Sequence, residues 1–362
     1  MSRPPSQIPA LDGVRAIAAV MVMVFHYWQS GGFDALPLVH RVSRVALFGQ
    51  TGVDLFFVLS GFLITRILIA TRENPGYFRI FYARRTLRIL PLYYFFLVLF
   101  YFVAPWLQHQ PVAPFRETWW YWCYLQNIPQ TFRTLASAGP IHYWSLAVEE
   151  HFYLIWPLLV YLTPTRWLAR VSGGLIVLAI LFRAVFLYHL HVSAFYFTLC
   201  RMDALAFGTL LACLEATDRL GAQKRRFAWI LAIMPLVLVV AWTRVTGTGL
   251  DLVQLVKFSL EALVYAALIG MVVLKGGSGW VQRVFGHPAL SFTGRISYGL
   301  YVYHELCFVM VAAIPFAMRH PLLRLPLSFG VAFLVSWASF QLLENPVLNL
   351  KKYFGYQRPS AA

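Results

Sequence analysis

The sequence predicts an all-α protein that spans the membrane as a bundle of about ten helices, with both termini in the cytoplasm. Three observations predict this fold class. The 362 residues are 60% hydrophobic and 12% charged, whereas a soluble domain is about 25% charged. Many apolar runs are about 17–25 residues long, the length that crosses hydrocarbon as a helix. The strict alternation of apolar and polar residues that marks a membrane β-barrel is absent.

Ten apolar segments predict the individual spans. The connections between them are short, so we expect residues 1–362 to form a single transmembrane domain with no appended soluble domain. Of the basic residues, twenty fall in one set of loops and eight in the opposite set. Because cytoplasmic loops carry the excess of Lys and Arg, this difference predicts cytoplasmic termini. The predicted spans lie near residues 10–28, 50–70, 87–104, 143–162, 173–190, 196–214, 228–243, 256–274, 292–315 and 327–343.

Charge and motif content exclude several function classes. The formal net charge is +16, but the basic residues cluster in short loops between apolar runs. They therefore indicate topology and contact with the lipid bilayer, and we expect no nucleic-acid partner. The four cysteines have no metal-ligand spacing, and we predict no metal site. A serine-hydrolase elbow, a phosphate-binding Walker loop and a zinc-peptidase motif are all absent from the sequence.

Arg15 and His26 are the first candidate functional residues, because they share one face of the first span. They lie eleven residues apart, which at about 100° per residue is three turns plus about 20°. The helix rises about 16 Å over that distance, roughly half a bilayer. An arginine and a histidine inside a membrane are costly unless they face protein or water. Asp12, three residues before Arg15, is a candidate ion-pair partner.

The connection between spans two and three is the most basic, and it contains Arg84, Arg85 and Arg88. Arg85 and Arg88 are three residues apart, so they enter the third span on one face at its cytoplasmic end. Guanidinium groups bind phosphate bidentately, and Arg84 is close enough to help. Anchoring on the cytoplasmic side would explain some of these charges, but it does not require two of them on one face. We therefore predict a phosphate-binding site at Arg85 and Arg88.

The fourth span carries two carboxylates, Glu149 and Glu150, about two turns inside its outer end. Ser145 and Glu149 are four residues apart and share a face. A modest tilt would bring the glutamates to the depth of His26. A carboxylate beside an imidazole fixes its tautomer and raises its basicity, as a general base requires. The alternative is a structural acid cluster that pairs with arginines in the bundle.

The ninth span has a polar stripe of Ser297, Tyr301 and His304, which follow the spacing of one helix face. A hydrogen-bonded core network and a functional site are both open for these residues. Other intramembrane charges need a partner on another helix and are predicted to form structural pairs. They are Asp54, Arg183, Arg201, Asp203 and Glu344.

Taken together, the motifs resemble the membrane-bound acyltransferase-3 family, whose members include O-antigen acetylases, exopolysaccharide acyltransferases and macrolide acyltransferases. The resemblance runs from Ile8 to about Lys352. Each motif is weak alone, but the set is specific because all stand in order and at matching depths. They are Leu11-Asp-Gly-Val-Arg15 with His26, Gly52-Val-Asp-Leu-Phe-Phe-Val-Leu-Ser-Gly61, Arg85-Thr-Leu-Arg88, Trp144-Ser-Leu-Ala-Val-Glu149-Glu150, Arg201-Met-Asp203, Ser297-Tyr-Gly-Leu-Tyr-Val-Tyr-His304 and Glu344-Asn-Pro346.

This resemblance implies an enzyme that moves an acyl group, usually acetyl, from acyl-CoA to a hydroxyl. Acetyl-CoA would be a co-substrate, and no permanently bound cofactor is expected. The acceptor would be a glycan, a glycolipid or a small molecule, and the location the bacterial inner (plasma) membrane. The family's essential histidine falls on His26, and its paired basic residue falls on Arg15. Its RxxR motif falls on Arg85 and Arg88, and its SLxxE-type motif falls on Ser145 and Glu149.

The predicted mechanism has His26, oriented by Glu149 or Glu150, take the proton of the acceptor hydroxyl. A relay through an acyl-histidine is also chemically allowed. The predicted site has three parts, each with its own residues. They are a catalytic group of His26, Glu149, Arg15 and Glu150, an acyl-CoA group of Arg84, Arg85, Arg88, Ser297 and Tyr301, and an acceptor group of Trp144, Ser145 and His304.

A second class of function stays open at this point. A proton-coupled transporter or exporter of a glycan or small molecule would also place His, Glu and Arg inside the membrane. The basic pair at the cytoplasmic end and the set of motifs favour the enzyme. A scaffold in an envelope-glycan complex is a third alternative.

Overall fold

The structure is a computed structural model that describes residues 8–32, 44–133, 139–244, 248–275 and 279–356. The described residues form helices and no strand, as the composition predicts. In chain order the helices are α1 Ala10–Gln29, α2 Gly52–Thr71, α3 Tyr77–Val98, α4 Phe115–Trp122, α5 Asn127–Phe132, α6 Trp144–Leu162, α7 Thr165–Tyr188, α8 Thr198–Ala216, α9 Lys224–Arg244, α10 Thr248–Lys275, α11 Gly279–Phe285, α12 Pro288–Arg295, α13 Ser297–Ala312, α14 Pro315–Arg319, α15 Pro321–Ser339 and α16 Asn345–Asn349.

The chain is an all-α integral membrane protein. Its helices coincide with all ten predicted segments, and six of the described helices are long and apolar enough to cross a bilayer. Apolar side chains such as Val177, Leu181, Leu236 and Leu334 point outward, as lipid-facing residues do. The count of ten and the side of the termini stay predictions, and the termini themselves lie outside the described residues. The six helices are Ala10–Gln29, Val45–Thr71, Tyr77–Leu107, Thr165–Tyr188, Leu252–Leu274 and Leu322–Tyr353.

The centre of the bundle is the packing of α2 against α8. Gly61 of α2 lies against the backbone of Leu205, and Gly208 of α8 lies against the backbone of Val58, so neither position has room for a Cβ atom. Small residues let membrane helices approach closely, because dispersion contacts and hydrogen bonds then replace the hydrophobic drive that lipid does not supply. Around this centre, α1 packs against α2, α12 and α13, and α13 packs against α15.

Two buried ion pairs join the helices around this centre, as the sequence predicts for charges that lack a local partner. Arg201 of α8 donates to Asp54 of α2 over 2.7 Å, and both side chains are almost fully buried. Arg183 of α7 donates to Asp203 of α8 over 2.8 Å, and Ser259 of α10 donates to the same carboxylate oxygen. The pairs therefore connect α2, α7, α8 and α10 through side chains that hydrocarbon could not satisfy.

A further ion pair connects the last helical segment to the middle of α3. Beyond α15 the chain continues through a π turn, Phe340–Glu344. This turn brings the Glu344 carboxylate to 3.8 Å from the Arg88 guanidinium. On the same side, the Tyr298 hydroxyl donates to the Ile89 carbonyl over 2.9 Å. These contacts fix α3 against α13 and the last helical segment near the middle of α3, beside Arg85 and Arg88.

We predict that Asp54→Ala lowers the free energy of unfolding by about 3–5 kcal/mol, because it leaves the Arg201 guanidinium buried without its carboxylate. The double variant Asp54→Ala with Arg201→Met should recover most of that loss, because it removes both charges. Thermal unfolding of the detergent-solubilised protein, followed by fluorescence, measures both. A double variant no more stable than Asp54→Ala would contradict the account.

Candidate active site

Two cavities lie along the bundle, and most of the predicted site residues line one or the other. The larger, here called the histidine cavity, has a volume of about 490 Å³ and contains His26, His142 and Glu305 in its wall. The smaller, here called the arginine cavity, has a volume of about 120 Å³ and contains Arg15, Arg85 and Arg88. Because Arg15 and His26 lie at opposite ends of one helix face, the cavities lie at different depths of the bundle.

The arginine cavity gathers cations from α1 and α3. Arg15 pairs with Asp12 over 2.9 Å, which confirms the partner predicted from their spacing. Arg88 lies in the wall beside its ion pair with Glu344. The Arg85 guanidinium lies over the Tyr153 ring, 5.2 Å from its centroid, and makes no hydrogen bond or ion pair with a residue that the structure describes. Its donors are thus free for an anionic ligand.

Glu149 and Glu150 line the arginine cavity, facing these cations. Glu149 accepts a hydrogen bond from Ser60 of α2. The expected contact between His26 and a glutamate of the fourth span does not form, because both glutamates project into the arginine cavity. The carboxylate beside His26 comes from another helix.

Two members of the predicted acyl-CoA group have their donors occupied by the backbone. The Arg84 guanidinium donates to the carbonyls of Lys351 and Phe354 over 3.3 and 3.1 Å. Arg84 therefore fastens the end of the described chain to α3 and does not line the arginine cavity, contrary to the expectation that it helps Arg85 and Arg88. Ser297 lines the arginine cavity, but its hydroxyl donates to the Gly294 carbonyl at the start of α13.

His26 is hydrogen-bonded to His304, and this contact determines its tautomer. The His304 Nδ1 lies 3.0 Å from the Leu300 carbonyl and 2.9 Å from the Tyr301 carbonyl, so it must carry the proton that both oxygens accept. The Nε2 of a neutral His304 is then an acceptor. Because His26 Nδ1 lies 2.8 Å from it, His26 must donate from Nδ1. Neutral His26 therefore keeps an unprotonated Nε2, the atom that a general base needs.

The carboxylate of Glu305 lies between two imidazoles. Its Oε1 is 3.4 Å from His26 Nε2, and its Oε2 is 2.9 Å from His142 Nδ1. A proton taken up at His26 Nε2 would therefore face a negative charge that stabilises the imidazolium. His26 and Glu305 lie in the wall of the histidine cavity, whereas His304 is fully buried behind them.

The ligand atoms of His26, His304 and Glu305 lie within 4.8 Å of one another, a spacing that a metal ion could use. However, the short contact between His26 and His304 runs between a ring nitrogen of each. A metal bound through these two nitrogens would have to break that hydrogen bond. The arrangement as it stands suits proton transfer.

Tyr301 stands in the wall shared by the two cavities. Tyr301 and Val53 line both of them. The Tyr301 hydroxyl donates to the His142 carbonyl over 2.7 Å and is also hydrogen-bonded to Ser145. The predicted stripe of α13 thus runs from Ser297 in the arginine cavity, through Tyr301, to His304, which is hydrogen-bonded to His26. Trp144 at the start of α6 lines the histidine cavity.

Sequence reasoning missed the roles of Glu305 and His142. Both residues stand in or beside predicted spans, but spacing along one helix does not reveal which helices are neighbours. The available signal was the predicted depth in the membrane. His26 lies near the outer end of span one, and His142 lies at the outer start of span four. Depth alone could not separate Glu305 from Glu149 as the partner of His26.

Comparison with known proteins shows which proteins this chain is similar to. A family model described as an acyltransferase domain matches residues 8–340. The peptidoglycan O-acetyltransferase of Listeria monocytogenes is 27% identical over 94% of this chain and 56% of its own length. A putative peptidoglycan O-acetyltransferase of Bacillus subtilis is 28% identical over 94% of this chain and 55% of its own. The chain thus spans about half the length of these curated relatives. No solved structure matches it.

We predict that the neutral His26 side chain is protonated at Nδ1, because His304 can only accept there. Nitrogen-15 NMR of the protein labelled at histidine distinguishes protonated from unprotonated ring nitrogens, and the spectrum of His26→Asn assigns the signals. His304→Ala should shift His26 towards the Nε2-protonated form. The same spectra supply the exposed His189 as a control that should not change. Nε2 protonation of His26 in the unsubstituted protein would contradict the assignment.

Proposed function

This chain belongs to the membrane-bound acyltransferase-3 family, and from that premise we propose that it transfers an acyl group, in the first instance acetyl, from acyl-CoA to a hydroxyl of a cell-envelope glycan. One observation carries the proposal. A basic cavity and a cavity with a tautomerically fixed histidine lie on one path, separated by Tyr301. The helix faces that carry Arg15 and His26, and Ser297 and His304, run along this path.

The arginine cavity suits the donor. Arg85 has unused donors and Arg88 is beside it, so both can bind phosphate oxygens bidentately. The cavity volume of about 120 Å³ is below the roughly 300–1,000 Å³ of complete small-molecule sites. The nucleotide part of acyl-CoA therefore stays at the mouth, on the side we predict to be cytoplasmic. The narrow pantetheine arm enters and carries the thioester towards Tyr301.

The histidine cavity suits the acceptor and the reaction. His26 Nε2 takes the proton of the acceptor hydroxyl while its oxygen attacks the thioester carbonyl carbon. The C–S bond breaks, the acyl group forms an ester with the acceptor, and the CoA thiolate leaves and recovers a proton from the imidazolium. Glu305 stabilises the imidazolium between these two proton transfers, and His304 holds the ring so that Nε2 faces the cavity.

The acceptor class rests on the relatives and on the wall of the histidine cavity. Two relatives are named for peptidoglycan, a glycan of the cell envelope. Glutamine amides and aromatic rings share this wall, and these groups bind the hydroxyls and the apolar faces of sugars. Such an acceptor supports a location in the bacterial inner (plasma) membrane, where both acyl-CoA and envelope glycans are within reach. The amides and rings belong to Gln29, Gln50, Gln130, Gln254, Trp144, Phe195 and Tyr196.

The transporter alternative lacks comparable support. It would use His26 and Glu305 as a proton path, but it gives no role to the unused donors of Arg85 at the opposite end. Binding of a phosphate of acyl-CoA gives the donors of Arg85 a role. The family match also favours the transferase, since its model is described as an acyltransferase domain.

We predict that His26→Ala lowers acetyl transfer from labelled acetyl-CoA by about 100-fold or more, because it removes the general base. The protein should still reach the membrane, and a matched His189→Ala variant in the exposed loop after α7 should keep its activity. Transfer is measured as label in the envelope glycan fraction of membranes. A His26→Ala variant with substantial activity would contradict the assignment of His26 as the general base.

We predict that CoA stabilises the purified protein in detergent, with a rise in Tm that grows with CoA concentration, because ligands that bind the native state stabilise it. Arg85→Gln should lose most of this rise. Arg79→Gln on the same helix is the matched control, since Arg79 is exposed and lies outside the lining of the arginine cavity. Equal stabilisation of all three proteins, or stabilisation by unrelated anions alone, would favour the transporter.

A further inference from the structure

The histidine cavity carries two cations that the proposed reaction does not use. They are Arg133 and Lys257. We propose that they bind a negative charge on the acceptor, so that the acceptor is an anionic glycan bearing a carboxylate or a phosphate close to the hydroxyl that is acylated. This inference rests on the proposed function, because it specifies the acceptor of the same site.

Arg133 is one of five described non-glycine residues with positive φ, and of these five it is the one that lines the histidine cavity. It directly follows α5, with φ of +52° in the left-handed region, where helices ordinarily end in Gly or Asn. A residue with a Cβ atom in this region carries strain, and such strain concentrates at functional sites. Its exposed side chain lines the histidine cavity and makes no hydrogen bond or ion pair with any described residue. Attraction of Arg133 to the helix dipole of α5 accounts for little of its position, because α5 has only six residues.

Lys257 reaches the same cavity from α10, within a segment that is apolar enough to cross the membrane. An ammonium group at such a position indicates function when it faces a cavity. It lies 4.7 Å from the centroid of the Phe258 ring, and Phe258 also lines the cavity. Glu261, one turn further along α10, is buried and attracts the Lys257 ammonium, and Lys257 is the member of this pair that lines the cavity.

The described residues that line the cavity include more cationic than anionic side chains, namely Arg133 and Lys257 against Glu305. Among the described residues of its wall, Glu305 has the one carboxylate, and that group is held between two imidazoles. Cytoplasmic anchoring does not explain Arg133 and Lys257, because our topology puts both on the outer side, where such anchors are depleted. An acceptor whose anionic group is fixed by these cations would present its hydroxyl to His26 Nε2 in a limited set of orientations.

The test replaces the charge of Arg133 chemically. Arg133→Cys is made in a Cys123→Ser background, because Cys123 is exposed, whereas the other three cysteines are buried. Membranes of cells that make the protein are treated with a cationic, a neutral or an anionic methanethiosulfonate reagent. Transfer from labelled acetyl-CoA to envelope glycan is then measured. Lys257→Arg and Lys257→Gln form a second pair that keeps or removes the other charge.

We expect Arg133→Cys to lose about ten- to hundredfold in transfer, the range for a hydrogen bond to a charged group. The cationic reagent should restore most of that loss, and the neutral and anionic reagents should not. The Lys257→Arg variant should transfer more acetyl label than the Lys257→Gln variant, because it keeps the positive charge. Mass spectrometry of the acetylated fragments distinguishes a carboxylate from a phosphate as the bound group.

Each other outcome overturns a specific statement. Full activity of untreated Arg133→Cys, equal effects of the three reagents, or acetyl label confined to uncharged sugars would overturn the anionic acceptor while leaving acyl transfer intact. Absence of transfer in the Cys123→Ser background, or transfer unchanged by His26→Ala, would overturn the proposed function itself.

Discussion

Hydrocarbon offers no hydrogen-bond partner, so the charged side chains inside this bundle need partners within the protein, many of them on another helix. The Arg201–Asp54 and Arg183–Asp203 pairs meet this requirement between α2, α7 and α8, and the contact of His26 with His304 meets it between α1 and α13. The same need for partners thus assembles the helices and orients the reactive ring. A helix shifted by one turn would leave a charge in lipid, which makes the register of the bundle costly to change.

The two cavities differ in the residue types that line them. Three arginines and two glutamates line the arginine cavity, whereas His26, His142 and Glu305 line the histidine cavity together with Arg133 and Lys257. This difference follows from two helices, α1 and α13, each of which has a polar stripe that runs from the level of the arginine cavity to the level of the histidine cavity. Arg15 and His26 are the ends of one stripe, and Ser297 and His304 are the ends of the other. A donor with an anionic head and a neutral thioester end fits the sequence of environments along such a path.

The sequence alone predicted the helices, their order and many of the residues that line the cavities, because membrane spans and helix faces are local properties. The Arg15–Asp12 pair is of that kind, and so is the shared face of Arg85 and Arg88. The partner of His26 was not local. Glu149 and Glu305 are both carboxylates at plausible depth, and only the packing of α13 against α1 selects Glu305. Arg84 lies next to the Arg85–Arg88 motif, yet its guanidinium donates to the carbonyls of Lys351 and Phe354, which are far away along the chain.

The wall between the cavities has an electrical consequence. Tyr301 and Val53 separate them, and the Tyr301 hydroxyl is hydrogen-bonded to the His142 carbonyl and to Ser145. A continuous water column through the bundle would let protons run down the membrane potential, which is worth about 2.3 kcal/mol per charge per 100 mV. A wall one side chain thick would oppose such proton flow, and it leaves only a short distance for the acyl group of the proposed reaction to cross. The proposed reaction would therefore modify an acceptor on one face of the membrane with a donor from the other face without dissipating the gradient across it.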